Sequence, residues 1–159
     1  MAELAVTVLR VTVTAAASPE RVFAVLTDWD RHHEWMVATR ARVTRGDGRG
    51  VGSALAAFTG AGPVGFTDTM EITRWEPPHT VEVRHTGRVV RGTGAFRVRP
   101  GPGGGAVIRW EERLDLPFGP VGRLGRWVAG PVGAAFLRLS LRRLARLCAA
   151  DRPGTAAPR

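Results

Sequence analysis

What most constrains the fold is the order of signals in the first third of the chain. Apolar residues alternate over residues 6–14, the period of a half-buried strand. The alternation stops at Ala15-Ala16-Ala17, and Ser18-Pro19-Glu20 follows. Ser18 can cap a helix, Pro19 suits the first helical position where no N–H is needed, and Glu20 meets the positive end of the helix dipole. Val22, Phe23, Val25 and Leu26 give that helix one buried face. Asp28-Trp29-Asp30 interrupts it, and Arg31-His32-His33-Glu34-Trp35-Met36 reads as a second short helix. A strand, two small helices and a long run of strands predict a domain built around a cavity, and a cavity predicts a small molecule held inside it.

The strands that follow are separated by clear turn signals. Residues 37–45 lead into Gly46-Asp47-Gly48-Arg49-Gly50, and residues 51–59 into Gly60-Ala61-Gly62-Pro63. Residues 65–75 end at Glu76-Pro77-Pro78, where two prolines cannot donate to a ladder. Residues 80–86, 90–99 and 106–116 complete the set, the last two joined by the glycine-rich 100–105 loop. From Pro120 the pattern turns helical, with Leu137, Leu141, Leu144 and Cys148 on one stripe and Arg138, Arg142 and Arg146 on another. Pro131, with Gly130 and Gly133, predicts a kink in this helix or a late start. The expected organisation is one domain over residues 1–150, with residues 151–159 a disordered tail.

Composition narrows the setting. A 159-residue chain with 44% hydrophobic residues supports one sizeable core, and a domain of this size buries roughly 68–70% of its unfolded surface. No apolar run approaches the ~20 residues of a membrane span, and no signal-peptide pattern opens the chain, so a cytoplasmic protein is expected. The lone Cys148 excludes an internal disulfide and reads as buried filler. A net charge of +9 would ordinarily point to nucleic acid. Yet all 23 basic residues are Arg, while Lys, Asn, Gln and Tyr are absent. Such codon bias points to a high-GC, actinobacterial genome and weakens the charge as a functional sign. The arginines are scattered, with no aromatic platform among them, so no specific nucleic-acid partner is expected. Without Lys or Tyr, acid–base work would fall to Asp, Glu, His or water.

The whole pattern resembles the START-like, helix-grip superfamily (SRPBCC), and within it the bacterial polyketide cyclase/dehydrase-like proteins. The residues carrying the likeness are the run from Ala16-Ala17-Ser18-Pro19-Glu20 through Val22-Phe23 to Leu26-Thr27-Asp28, and then Trp35-Met36. Trp110-Glu111-Glu112-Arg113-Leu114-Asp115-Leu116-Pro117 and Ser140-Leu141-Arg142-Arg143-Leu144 add to it. The resemblance implies an α+β fold: a curved antiparallel sheet of about seven strands around a long C-terminal helix, with two short helices after the first strand. It also implies a hydrophobic cavity between sheet and helix. It does not choose an activity, because carriers, cyclases and receptors share this scaffold.

Alternation assigns the residues that face such a cavity. The inward sets are Phe66, Asp68, Met70 and Ile72; Val81, Val83 and His85; Val90, Gly92, Gly94, Phe96 and Val98; and Ile108, Trp110, Glu112, Leu114 and Leu116. Asp68, His85 and Glu112 are thus ionisable groups on otherwise apolar faces, where an unpaired charge costs several kcal/mol. Tight hairpins set Met70 opposite His85, His85 opposite Val90 and Gly94 opposite Glu112. That register leaves His85 and Glu112 four residues apart, roughly 13 Å at ~3.3 Å per residue. Asp68 and His85 are therefore expected as a pair, either in a binding role or solvated at the cavity rim, with Glu112 a separate polar point whose pKa desolvation would raise unless it serves as the structural partner of an Arg. The remaining expected wall is Trp35, Phe58, Phe66, Met70, Val83, Gly94, Phe96, Trp110, Trp127 and Leu137. The His32-His33 doublet offers no metal site, because adjacent helical side chains diverge, and no cofactor is expected.

Two functional readings stand ahead of a third, an interaction module with a vestigial cavity. One is a carrier or sensor for a lipid-, quinone- or polyketide-like molecule, whose basic helix could visit anionic membranes. The other is a cyclase or dehydratase of a polyketide-like substrate, with Glu112, Asp68 and His85 moving protons.

Overall fold

The computed structural model describes residues 5–88, 90–116 and 119–150, with side chains described for residues 6–88, 90–115 and 130–150. Strand β1 (Ala5–Ala15) is followed by helix α1 (Pro19–Leu26), a 3-10 turn (Trp29–Arg31) and helix α2 (His32–Trp35). Strands β2 (Thr39–Arg45), β3 (Ala54–Ala61), β4 (Val64–Glu76), β5 (Thr80–Thr86), β6 (Arg91–Pro100) and β7 (Ala106–Leu116) follow, then helix α3 (Gly119–Ala150). The sheet is antiparallel with the order β1-β7-β6-β5-β4-β3-β2. Six strands form a meander, and β7 closes back on β1 from Ala5↔Leu116 to Ala15↔Ala106. Register shifts at Val43/Arg45 and Ile72/Arg74 insert bulges, the device by which a strand bends. The expected α+β helix-grip architecture is present.

Local chemistry explains the start of the fold. The Arg21 N–H donates to Ser18 Oγ at 3.2 Å, and Pro19 occupies the first turn of α1. Val22, Phe23, Val25 and Leu26 are all buried. Helix α3 packs on β1, α1 and α2, with Leu137, Leu141, Leu144 and Cys148 buried on the predicted stripe. Burying a side chain of this size stabilises by roughly 1.5–3 kcal/mol. Trp35 and Leu26 are fully buried in the same core.

Among the boundaries on which the structure and the sequence reading can be compared, three have a clear structural cause. Strand β2 begins at Thr39 rather than 37, because the Val37 N–H is taken by the buried Ser140 Oγ of α3 at 3.2 Å and Ala38 adopts a left-handed φ of 49°. Strand β3 begins at Ala54 rather than 51, because the preceding loop is anchored inward. There the Trp29 Nε1–H donates to the Gly48 carbonyl at 2.8 Å, and the Gly48 N–H donates to Ser53 Oγ. Of the two readings of Pro131, a kink or a late start, the late start is overturned: helix α3 begins at Gly119, as the pattern from Pro120 suggested, and contains Pro131. Pro131 is exposed there, where water can replace the lost intrahelical bond. The expected tail, 151–159, lies outside the described residues.

Candidate functional site

Between the concave face of the sheet and α3 lies a cavity of about 460 Å³. Its wall is largely apolar: Leu55 and Ala57 of β3, Phe66 and Met70 of β4, Val81 and Val83 of β5, Phe96 of β6, Trp110 and Leu114 of β7, and Phe136 and Leu137 of α3. Phe66 and Val132 both line it and remain exposed, at 42% and 64%, which puts an apolar mouth between β4 and α3. A cavity of this size falls in the range that encloses drug-sized ligands.

Against this wall stands one polar cluster. His85 Nδ1 is 2.8 Å from Asp68 Oδ2 and His85 Nε2 is 3.0 Å from Glu112 Oε2. The Trp110 Nε1–H donates to the other Glu112 oxygen, Oε1, at 2.7 Å. Strands β4, β5 and β7 position the triad, and all three side chains line the cavity. Burial alone would lower the pKa of His85, but its hydrogen bonds to Asp68 and Glu112, with the charges of both, outweigh that and push it up to about 10. His85 is therefore an imidazolium whose two N–H groups donate to two carboxylates. Asp68 Oδ1 is left buried without a hydrogen-bond partner.

The triad corrects the expected separation of Glu112 from the Asp68–His85 pair. Met70↔His85 and Gly94↔Glu112 stand as expected, but His85 pairs with Gly92, not Val90. The last pair of the ladder is Thr86↔Arg91, so four residues lie between the strands instead of the two of a tight closure. A slip of two residues keeps every side chain on its face, so the inward set survives while the distance along the sheet halves. Strand β6 then separates the two groups only by Gly92 and Gly94. A Cβ on Gly94 would stand 2.8 Å from Glu112 Oε1 and 3.0 Å from Oε2. Absence of a side chain at 94 is what lets the Glu112 carboxylate cross the strand.

Of the expected apolar wall, Phe66, Met70, Val83, Phe96, Trp110 and Leu137 line the cavity, and Gly94 lies beneath the Glu112 carboxylate. Two do not. Trp35 is fully buried behind the wall, its ring 6.3 Å from Phe96 and 6.2 Å from Trp110. Phe58 faces a separate surface hollow with His33 and Arg40, because Leu55, Ala57 and Thr59 take the inward positions of β3. The Trp127 side chain lies outside the described residues.

The wall also holds a titratable group that the sequence reading did not place there. His32 lines the cavity, set at a tilt between Trp29 and Trp35 at centroid distances of 5.0 and 4.7 Å. Its Nε2–H donates to the Leu26 carbonyl at 2.8 Å, and burial pushes its pKa down to about 4, so it is neutral near pH 7. The neighbouring His33 is exposed and bonds the Asp30 carbonyl instead. The divergence of the doublet is legible in the sequence; which of the two turns inward is not.

Comparison with known proteins adds family and fold. The model of the family described as polyketide cyclase / dehydrase and lipid transport matches residues 6–149. No curated protein gives a significant match. Among solved structures, TTHA0849 from Thermus thermophilus is similar at a TM-score of 0.78 and 17% identity, over 92% of this chain and 100% of that one. DR_A0006 from Deinococcus radiodurans is similar at 0.65 and 21% identity, over 92% and 100%. Ara h 8.0201 is similar at 0.64 and 13% identity, again over 92% and 100%. At these identities the likeness is one of fold. Among the described residues no helix is long and apolar enough to cross a membrane.

Proposed function

This chain belongs to the polyketide cyclase/dehydrase and lipid-transport family, and on that premise we propose that it binds a hydrophobic small molecule as a carrier or sensor. The observation that carries this reading is the cavity of about 460 Å³, apolar over most of its wall and open at an apolar mouth. Binding is favoured over turnover by the state of the triad. A general acid or base works best with a pKa near the operating pH, whereas His85 is held at about 10 with both N–H groups committed. The working compartment on this reading is the cytoplasm, and the exposed Arg138, Arg142 and Arg146 of α3 would allow passing contact with anionic membranes.

The test is native mass spectrometry of the purified protein, followed by titration with the uncharged dye Nile red. A co-purified apolar molecule at one per chain, or saturable dye binding that such a molecule displaces, is the expected result. Absence of both would overturn the proposal. The unpartnered Asp68 Oδ1 favours a second reading, a cyclase or dehydratase in which this oxygen takes a proton from a confined polyketide-like substrate. On that reading Asp68→Asn cuts turnover by about 100-fold or more while Nile red binding persists.

A further inference from the structure

The cavity has the opposite charge to the chain around it. The protein has 23 arginines and a net charge of +9, yet among the described residues no arginine lines the cavity. Among the described residues the ionisable groups on its wall are Asp68, Glu112, His85 and His32. His32 is neutral and already donates to a backbone carbonyl. His85 brings one positive charge against two carboxylates, so the described part of the wall retains one net negative charge.

Hydrogen bonding singles out one atom of this cluster. Both His85 nitrogens are engaged, and both Glu112 oxygens are taken, one by His85 and one by Trp110. Asp68 Oδ2 is taken by His85, which leaves Asp68 Oδ1 as a buried acceptor with nothing to accept. Such an orphan in a native fold calls for an explanation. Asp68 also lines the cavity and keeps 13% of its side-chain surface exposed against 5% for His85.

Resting on the reading of this cavity as a ligand site, we infer that its ligand presents a hydrogen-bond donor, an alcohol, phenol or protonated amine, to Asp68, and that carboxylate ligands such as fatty acids are refused. A carboxylate entering the cavity loses its water, meets two carboxylates against one imidazolium and finds no arginine to pair with among the described residues. A hydroxyl or ammonium group instead supplies the donor that the Asp68 oxygen lacks, a charge-assisted bond about twice as strong as a neutral one.

The experiment compares three molecules with one ring system: naphthylmethanol, naphthylmethylamine and naphthoic acid, each displacing Nile red from the unaltered protein at pH 7. The alcohol and the amine are expected to bind at least about tenfold more tightly than the acid. In the double variant Asp68→Asn/Glu112→Gln that gap should close to about threefold or less. Equal or tighter binding of the acid by the unaltered protein overturns the inference while leaving a hydrophobic-ligand site standing. Failure of Nile red itself to bind overturns the underlying reading instead. Because the ranking is read on the unaltered protein, poor folding of the double variant cannot rescue or sink it, and Gly94→Ala serves as a second way of breaking the triad.

Discussion

An imidazole ring with carboxylate oxygens 2.8 and 3.0 Å from its two nitrogens must carry a proton on each, and that makes His85 the electrostatic centre of the cavity. Gly94 makes the arrangement possible, so it is the position at which to break it. In Gly94→Ala the added methyl would lie 2.8 Å from Glu112 Oε1, and the flexible carboxylate will yield before the backbone does. Glu112 should then leave His85 and Trp110, lowering the His85 pKa from about 10 by more than about one unit. NMR titration of the His85 ring reads this directly, and an unchanged value would show that Glu112 does not hold the proton there. The stability cost should be roughly 1–3 kcal/mol, the range for overpacking and for a lost buried hydrogen bond. Asp68, His85 and Glu112 are legible in the sequence because each interrupts the apolar alternation of its strand. Their meeting is not, since it depends on the length of one turn. The visible clue is Gly92-Thr93-Gly94, two inward positions without side chains next to the strand that carries Glu112.

At the scale of elements, the parts with local signals are legible and those set by long-range contacts are not. Ser18 and Pro19 mark the start of α1 by their own chemistry, and removing the cap in Ser18→Ala should cost about 1 kcal/mol in chemical denaturation. The start of β2 carries no such local mark, because the buried Ser140, 103 residues away, holds the Val37 N–H. Composition alone puts Phe58 on the cavity wall, whereas the parity of β3 turns it outward. The stripe of helix α3 is plain in the sequence, and Leu141 is its most informative position, fully buried amid Leu137, Leu144 and Cys148. Leu141→Asp places an unpaired charge there and should destabilise by about 3–5 kcal/mol. Thermal melting tests this, and an unchanged melting temperature would mean that α3 does not grip the sheet through this face.

Across the whole molecule the charges divide into an outer lattice and an inner cluster. On the sheet's outer face Arg10 pairs with Glu111, Arg45 with Glu71, Arg74 with Glu76 and Arg97 with Glu82, solvent-accessible pairs worth little individually. The inner groups instead control how stability varies with pH. His85 has a pKa raised from 6.5 to about 10 on folding. The folded state therefore holds a proton that the unfolded chain releases above 6.5, so its contribution is complete below pH 6.5 and is lost as pH rises toward 10. His32 acts in the opposite sense, its pKa lowered from 6.5 to about 4 by burial. The unfolded chain takes up that proton first, so stability falls as pH drops from 6.5 toward 4. Each arm has a limiting slope of about 1.4 kcal/mol per pH unit, one proton per unfolding event. Urea unfolding across this range should thus show a maximum near pH 6.5 with a fall on both sides. His32→Gln keeps a donor for the Leu26 carbonyl without a titrating ring and should flatten the acid arm alone. Asp68→Asn/Glu112→Gln leaves His85 to the lowering effect of burial and should remove the alkaline arm. A profile that is flat or rising between about pH 7 and 10 in the unaltered protein would mean that His85 is not the imidazolium on which the cavity's charge depends.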